Sequence, residues 1–258
     1  MDLTNDLLRT ANESLIEVGK SRGILLLFDN LDRYDPEQID RLLFRGHELV
    51  RRLDSHAIFT IPIALEYDPL SGAIQDCYGP SLVLPMLSLR PRNHAWEETV
   101  TASHYNEDAV NTVRAALSLR LDLNLFQDPA DVNRLVRMSG GCIRDLMHLV
   151  TLAFSHAGHE DRFTSRAVDR AIRELRAIYT RRLNADDYRS LVAIARREHT
   201  MPDEGKAETA RKQESRLLFN LFALEYLDQD LQPWVDIHPI ILEIEEFCRV
   251  SNSHSPSS

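Results

Sequence analysis

Asp29, Asn30 and Asp32 follow directly on an apolar run, Ile24-Leu25-Leu26-Leu27-Phe28. A carboxylate held at the end of a rigid strand can hold a divalent cation. A neighbouring asparagine can orient a water but cannot take its proton, which a second carboxylate can. A second polar residue in a comparable place is Thr60, in Ile58-Phe59-Thr60-Ile61-Pro62. Two arginines, Arg90 and Arg92, close the stretch Leu84-Pro85-Met86-Leu87-Ser88-Leu89-Arg90-Pro91-Arg92. A third stands in Ser139-Gly140-Gly141-Cys142-Ile143-Arg144-Asp145, where a glycine-rich turn opens a helix. Arg144 is one step from the Ile143 stripe and in line with His148 and Thr151, which points it away from a bundle core. A guanidinium so placed can fork onto a phosphate.

These residues need elements to position them. The five large apolar residues at 24–28 suit a strand buried on both faces, as in a parallel sheet. Carboxylates just past its carboxyl end stand where open α/β sheets bind ligands. Before the strand, Leu7, Leu8, Ala11, Leu15 and Val18 form one helical stripe. After it, Asp35-Pro36-Glu37-Gln38 starts a helix well, with a cap, a proline at the first turn and a box-like Gln38. Ile39, Leu42, Leu43, Leu49, Val50 and Leu53 give that helix its apolar face. Strands are expected at 57–61 and 82–89, with a loop at 67–80 between them. This βα alternation is that of a partial doubly wound parallel sheet.

From Asn106 the pattern is helical only. Helices are expected over about 107–121, from Asp128-Pro129 to Ser139, over 142–156, and from Thr164 onward. The third puts Ile143, Leu146, Met147, Val150 and Phe154 on one stripe. A last unit has helices at 185–197 and 213–223, a hairpin of 224–227 and 234–237 around Asp228-Gln229-Asp230, and a closing helix after Pro239. That order is a winged helix. The expected fold is therefore an α/β partial doubly wound sheet (1–95), an all-α lid bundle (96–183), a winged-helix domain (184–250) and a disordered tail (251–258).

The string Phe28-Asp29-Asn30-Leu31-Asp32-Arg33-Tyr34-Asp35-Pro36 resembles the Walker B motif of AAA+ and STAND-like P-loop ATPases, in particular origin-recognition-type initiator and KAP-type NTPases. The resemblance implies that Asp29 holds Mg²⁺ and that Asn30 and Asp32 place the attacking water. Such families usually carry glutamate where Asn30 stands, which sets efficient turnover in question. Thr60 matches sensor 1, although a threonine chosen for strand propensity accounts for it equally. Arg144 matches sensor 2, with a surface arginine on a well-started helix as the alternative. Arg90 and Arg92 lie at the core–lid junction, where such proteins carry an arginine finger. The resemblance implies ATP as ligand, Mg²⁺ as cofactor, and a nucleotide-dependent switch that reports to a protein partner or a neighbouring subunit.

No Gly-x-x-x-x-Gly-Lys-Ser/Thr string occurs in the chain. Gly19-Lys20-Ser21 lacks the first glycine, where Ser14 stands, and follows a helix rather than a strand. The chain therefore reads as the C-terminal part of an ATPase, binding and hydrolysing ATP only when the loop is supplied upstream and inactive by itself. A non-catalytic winged-helix adaptor or DNA-binding regulator is the alternative.

The 258 residues are 43% hydrophobic and 27% charged, which suits a folded protein, and the net charge of −10 opposes a surface-wide field for nucleic acid. Residues 162–197 hold ten arginines against Asp169, Glu174, Asp186 and Asp187, whereas 201–258 hold eleven carboxylates against five basic residues. A solvated helix face is the default reading of the arginines, and a nucleic-acid or phosphate surface the other. Asp228, Asp230 and Asp236 would repel phosphates from the wing, so protein contact is favoured there and nucleic acid is not. Trp234 and His238-Pro239 are expected to pack the base of the wing. His148, His156 and His159, beside Glu160, read as surface or helix-end histidines. Cys77, Cys142 and Cys248 have no paired spacing and read as reduced thiols of a cytoplasmic protein. No membrane span or signal peptide is expected.

Overall fold

The computed structural model describes residues 2–20, 23–45, 48–68, 71–92, 105–196 and 208–253. They fall into two compact units: residues up to 83 with 208–219, and residues 84–196 with 220–253.

In the first unit, α1 (Asp2–Glu17) leads to β1 (Leu25–Phe28). β1 pairs in parallel with β2 (His56–Phe59), in the register Leu25↔His56 to Phe28↔Phe59. Between them the chain runs through a 3₁₀ turn (Leu31–Arg33), α2 (Pro36–Ile39), a π-helical stretch (Asp40–Arg45) and α3 (Glu48–Arg51). The helix expected after Asp35 thus changes from α to π geometry at Asp40. Its start is as read: Pro36 occupies the first turn and the Asp35 carboxylate accepts from the Glu37 N–H at 2.9 Å. α4 (Ala64–Tyr67) and α5 (Ser71–Tyr78) follow, and α11 (Glu208–Phe219) packs on α4. The loop expected over 67–80 therefore contains a helix.

The core of this unit is Ile39, Leu43, Leu65 and Ile74, with Leu31, Phe59 and Ile61 against it. The Phe28 and Phe59 rings stack at 4.7 Å. The opposite face of the strand pair differs from expectation. Leu25, Leu27 and Ile58 are 51–68% exposed, so β1 is covered on one face only. The α1 stripe is likewise open at Leu7 and Val18. Alternation along a two-stranded sheet leaves every second side chain outward unless another layer lies over it.

The second unit holds α6 (Glu107–Ser118), α7 (Pro129–Met138), α8 (Ile143–Ala157), α9 (Ser165–Arg182) and α10 (Ala185–Arg196). It also holds β3 (Ala223–Leu227), β4 (Pro233–Ile237), α12 (Pro239–Leu242) and α13 (Glu245–Ser253). Caps set the helix starts. Asn106, Asp128 and Thr164 each accept backbone N–H bonds at the mouths of α6, α7 and α9. α8 packs along α9, with α7 against both. Leu146, Leu149, Val150 and Ala153 face this core, whereas Ile143, Met147 and Phe154 are 44%, 36% and 70% exposed. The apolar stripe read on α8 is rotated, because its neighbours lie on the Leu149 side.

β3 and β4 form the antiparallel hairpin, Ala223↔Ile237 to Leu227↔Pro233. Trp234 and His238 are both buried, His238 just past the open end and Trp234 one pair from the turn rather than at the base expected for it. The strand expected at 82–89 joins no sheet; a Met86 N–H bond to the Glu225 carbonyl (3.0 Å) ties it to β3. α10 packs on α13 and β4, while α11, read with them as one domain, is grouped with the first unit. The 95/96 boundary, the polar gap around 199–207, Ser21, Arg197 and the end of the tail lie outside the described residues. Among the described residues, no helix is long and apolar enough to cross a membrane.

Candidate functional site

The polar cluster of the first unit grows from the strand register. Phe28 and Phe59 are partners, so Asp29 and Thr60 leave the sheet side by side at its carboxyl end. The Thr60 hydroxyl lies 3.5 Å from Asp29 Oδ1 and 3.4 Å from the Phe28 carbonyl. It also accepts from the Leu31 N–H at 3.2 Å. One hydroxyl thus ties both strand ends and the turn after β1. Asn30 takes a left-handed conformation (φ 64°), which asparagine tolerates better than most residues. That bend brings its N–H to Asp29 Oδ1 at 2.7 Å. Asp29 is exposed, with Oδ1 oriented by backbone. Asp32 lies half-buried in the 3₁₀ turn.

In the second unit, Gly140 (φ 60°) and Gly141 (φ 83°) turn the chain from α7 into α8. Both are buried, and both need to be glycine. A Cβ on Gly140 would lie 2.7 Å from Leu224 Cδ1 and 2.8 Å from Pro239 Cδ. One on Gly141 would run into the Leu87 carbonyl. Tyr226 donates its hydroxyl to the Gly140 carbonyl at 2.6 Å. Close packing of the turn against the hairpin explains the glycine pair without a phosphate. Arg144 projects outward from the first turn of α8, as its helical phase requires.

The next residue, Asp145, points inward and anchors a polar group absent from the sequence reading. It is 5% exposed, accepts from the Tyr179 hydroxyl, and lies 3.1 Å from His238 Nε2. His238 Nδ1 accepts from the Ile240 N–H at 3.2 Å, which assigns the ring proton to Nε2, facing the carboxylate. The approach is off the line of a well-aligned hydrogen bond. Burial works to raise the Asp145 carboxyl, but His238, Tyr179 and the more distant His148 outweigh it and hold it below the usual carboxylate range. Burial and the Asp145 charge push the Tyr179 phenol well up. Burial, then Asp145, raises the Cys142 thiol from 9.0 to about 11. The signal for this group was the inward phase of Asp145 and Tyr179 on their helices; the partner His238 is too remote in sequence to read.

Arg90 and Arg92 are both engaged by the hairpin. Arg90 is 6% exposed and pairs with buried Asp236 at 2.8 Å; Arg92 pairs with Asp228 at 2.7 Å. A small cleft, open to solvent, lies beside the Arg90–Asp236 pair, bordered by Tyr105, Arg137, Gly140 and Trp234. The Arg137 guanidinium stacks 4.6 Å from the Tyr105 ring centre and reaches Glu107 at 3.1 Å.

His156 pairs with Glu174 at 2.7 Å. Among the described residues no three His, Cys, Asp or Glu side chains gather as a metal-ligand set. Asp29, Asn30, Asp32 and Thr60 thus share the first unit, while Arg90, Arg92 and Arg144 belong to the second. Comparison with known protein families, with curated proteins and with solved structures finds no match to this chain.

Proposed function

We propose that the chain works as part of a cytoplasmic AAA+/STAND-like nucleotide switch, with Asp29 holding the Mg²⁺ of bound ATP. One observation supports this most: an exposed carboxylate and a threonine hydroxyl stand side by side at the carboxyl ends of adjacent parallel strands. That is the ligand edge of an open α/β sheet. Magnesium is commonly held by one or two carboxylates together with phosphates and waters, so a lone exposed Asp29 fits it. When bound, the ion would neutralise charge on the phosphate oxygens. Thr60 would hydrogen-bond the terminal phosphate, Asn30 would orient the attacking water, and Asp32 would accept its proton. The open apolar face at Leu25, Leu27 and Ile58 suits a sheet layered on both sides.

The reading needs a phosphate loop, which this sequence does not contain and another segment or chain must supply. It draws on neither Arg90 nor Arg92, whose charges are met by Asp236 and Asp228. A second reading, a non-catalytic winged-helix adaptor or DNA-binding regulator, draws support from Asn30 and from a hairpin clamped by two arginines. Titration of a fluorescent ATP analogue into a polypeptide carrying this chain and a phosphate loop separates the two. Binding is expected to require Mg²⁺ and to weaken about tenfold in Asp29→Ala, as for loss of one charged contact. Binding indifferent to both Mg²⁺ and Asp29→Ala refutes the switch and leaves the adaptor.

A further inference from the structure

Several arginines of the second unit are neutralised by acids on their own or a neighbouring element. Arg90 meets Asp236, Arg134 meets Asp131 and Asp169, Arg176 meets Glu243, and Arg249 meets Glu246. The outer face of α9 departs from this habit. Arg166, Arg170, Arg173 and Arg181 are all exposed, and none has a carboxylate partner among the described residues. At 3.6 residues per turn they fall within a sector of about 80° and extend along about 22 Å of helix. Arg162, also exposed, precedes the stripe.

The two acids of α9 do not offset it. Asp169 is taken by Arg134 and Glu174 by His156. Residues 162–182 hold seven arginines against those two acids, a local charge of +5 in a chain of −10. Like charges crowd enough that Arg173 helps depress Arg176, after burial as the larger cause. Glu160 and Asp161 lie only at the amino-terminal approach.

The chemistry of this face selects its partner. Between the arginines stand Ala177 and Thr180, both exposed, and no large apolar side chain. A membrane-surface helix buries a broad apolar face, but the apolar face of α9, with Val168, Ile172 and Leu175, is already in the core. A protein interface would want apolar or aromatic anchors at its centre. A linear row of guanidiniums without anchors matches a row of phosphates. We infer that the α9 arginine stripe binds the phosphodiester backbone of nucleic acid, without base readout. The inference is independent of the nucleotide reading and places the contact on the bundle rather than on the acidic hairpin.

Fluorescence anisotropy of a short labelled duplex, titrated with the whole chain across salt, tests it. Four phosphate contacts give a log–log salt slope of about −3.6, an affinity loss of roughly 150-fold between about 50 and 200 mM salt. Arg166→Gln/Arg170→Gln/Arg173→Gln is expected to keep the circular dichroism melt and to reduce the slope to about −0.9. Arg114→Gln/Arg120→Gln, which removes a half-buried and an exposed arginine elsewhere, should leave binding as it was. Absent binding at low salt, an unchanged triple variant, or equal losses in both variants would overturn the inference. So would triple-variant-sensitive binding to phosphatidylserine vesicles with none to DNA.

Discussion

Arg90→Ala sets two roles for one arginine against each other. In an ATPase junction its loss would lower turnover and spare stability. The geometry makes the opposite demand. Arg90 and Asp236 are 6% and 4% exposed and 2.8 Å apart. Removing one member leaves the other charge buried without its counterion, which costs about 3–5 kcal/mol. The other Asp236 oxygen accepts from the Ile237 N–H at 2.8 Å, a neutral contact that does not replace a counterion. At about 2–4 °C per kcal/mol for a unit of this size, the melting point should fall by roughly 6–20 °C. Replacing both with apolar residues of similar size, Arg90→Met/Asp236→Leu, should recover most of that loss, because neither desolvated charge remains. The assay is a double-mutant cycle by urea denaturation followed by circular dichroism. Single variants within about 1 kcal/mol of the parent, or a double variant as unstable as the sum of the singles, would refute the argument.

Other perturbations have equally definite outcomes. Gly141→Ala should destabilise the second unit by about 2–4 kcal/mol, since it adds a Cβ against the Leu87 carbonyl at φ 83°; a calorimetric melt unchanged from the parent would contradict the packing account. Stability should decline at alkaline pH. The Cys142 thiol is raised from 9.0 to about 11 and the Tyr179 and Tyr226 phenols are raised as well. Groups raised on folding contribute stability that is complete below their unfolded values and lost as pH rises toward the folded ones. The loss should therefore begin near pH 9, with the thiol alone accounting for about 2 kcal/mol by pH 11. A flat urea midpoint from pH 8 to 11 would exclude it, and Cys142→Ala should remove the first part of the decline.

Much of this architecture is legible residue by residue. Asp35-Pro36, Asn106, Asp128-Pro129 and Thr164 mark helix starts because a cap acts on N–H groups two or three residues away. The hairpin around Asp228 is read from the same short range. Asp29 and Thr60 were readable as strand-tip residues, and their adjacency needs only that two neighbouring strands run parallel. The sequence reading failed where the outcome depends on what lies opposite. The Gly140-Gly141 pair reads like a phosphate-lined turn but is also required by Leu87, Leu224 and Pro239 pressing on it. Arg90 and Arg92 read like exposed finger residues, yet each pairs with an acid 146 or 136 residues away. The stripe expected on α8 is rotated because apolar residues nearly encircle that helix, and only its neighbours α7 and α9 decide which side is inside.

By itself, then, the amino-acid order determined the local elements, their caps and the acidic strand tip, since those obey interactions within a turn or a pleat. Tertiary structure alone decided which carboxylate each buried arginine meets, which α9 arginines meet none among the described residues, and that Asp145, Tyr179 and His238 share one buried site. Charge pairing and desolvation are properties of neighbours in space, and sequence spacing does not encode them.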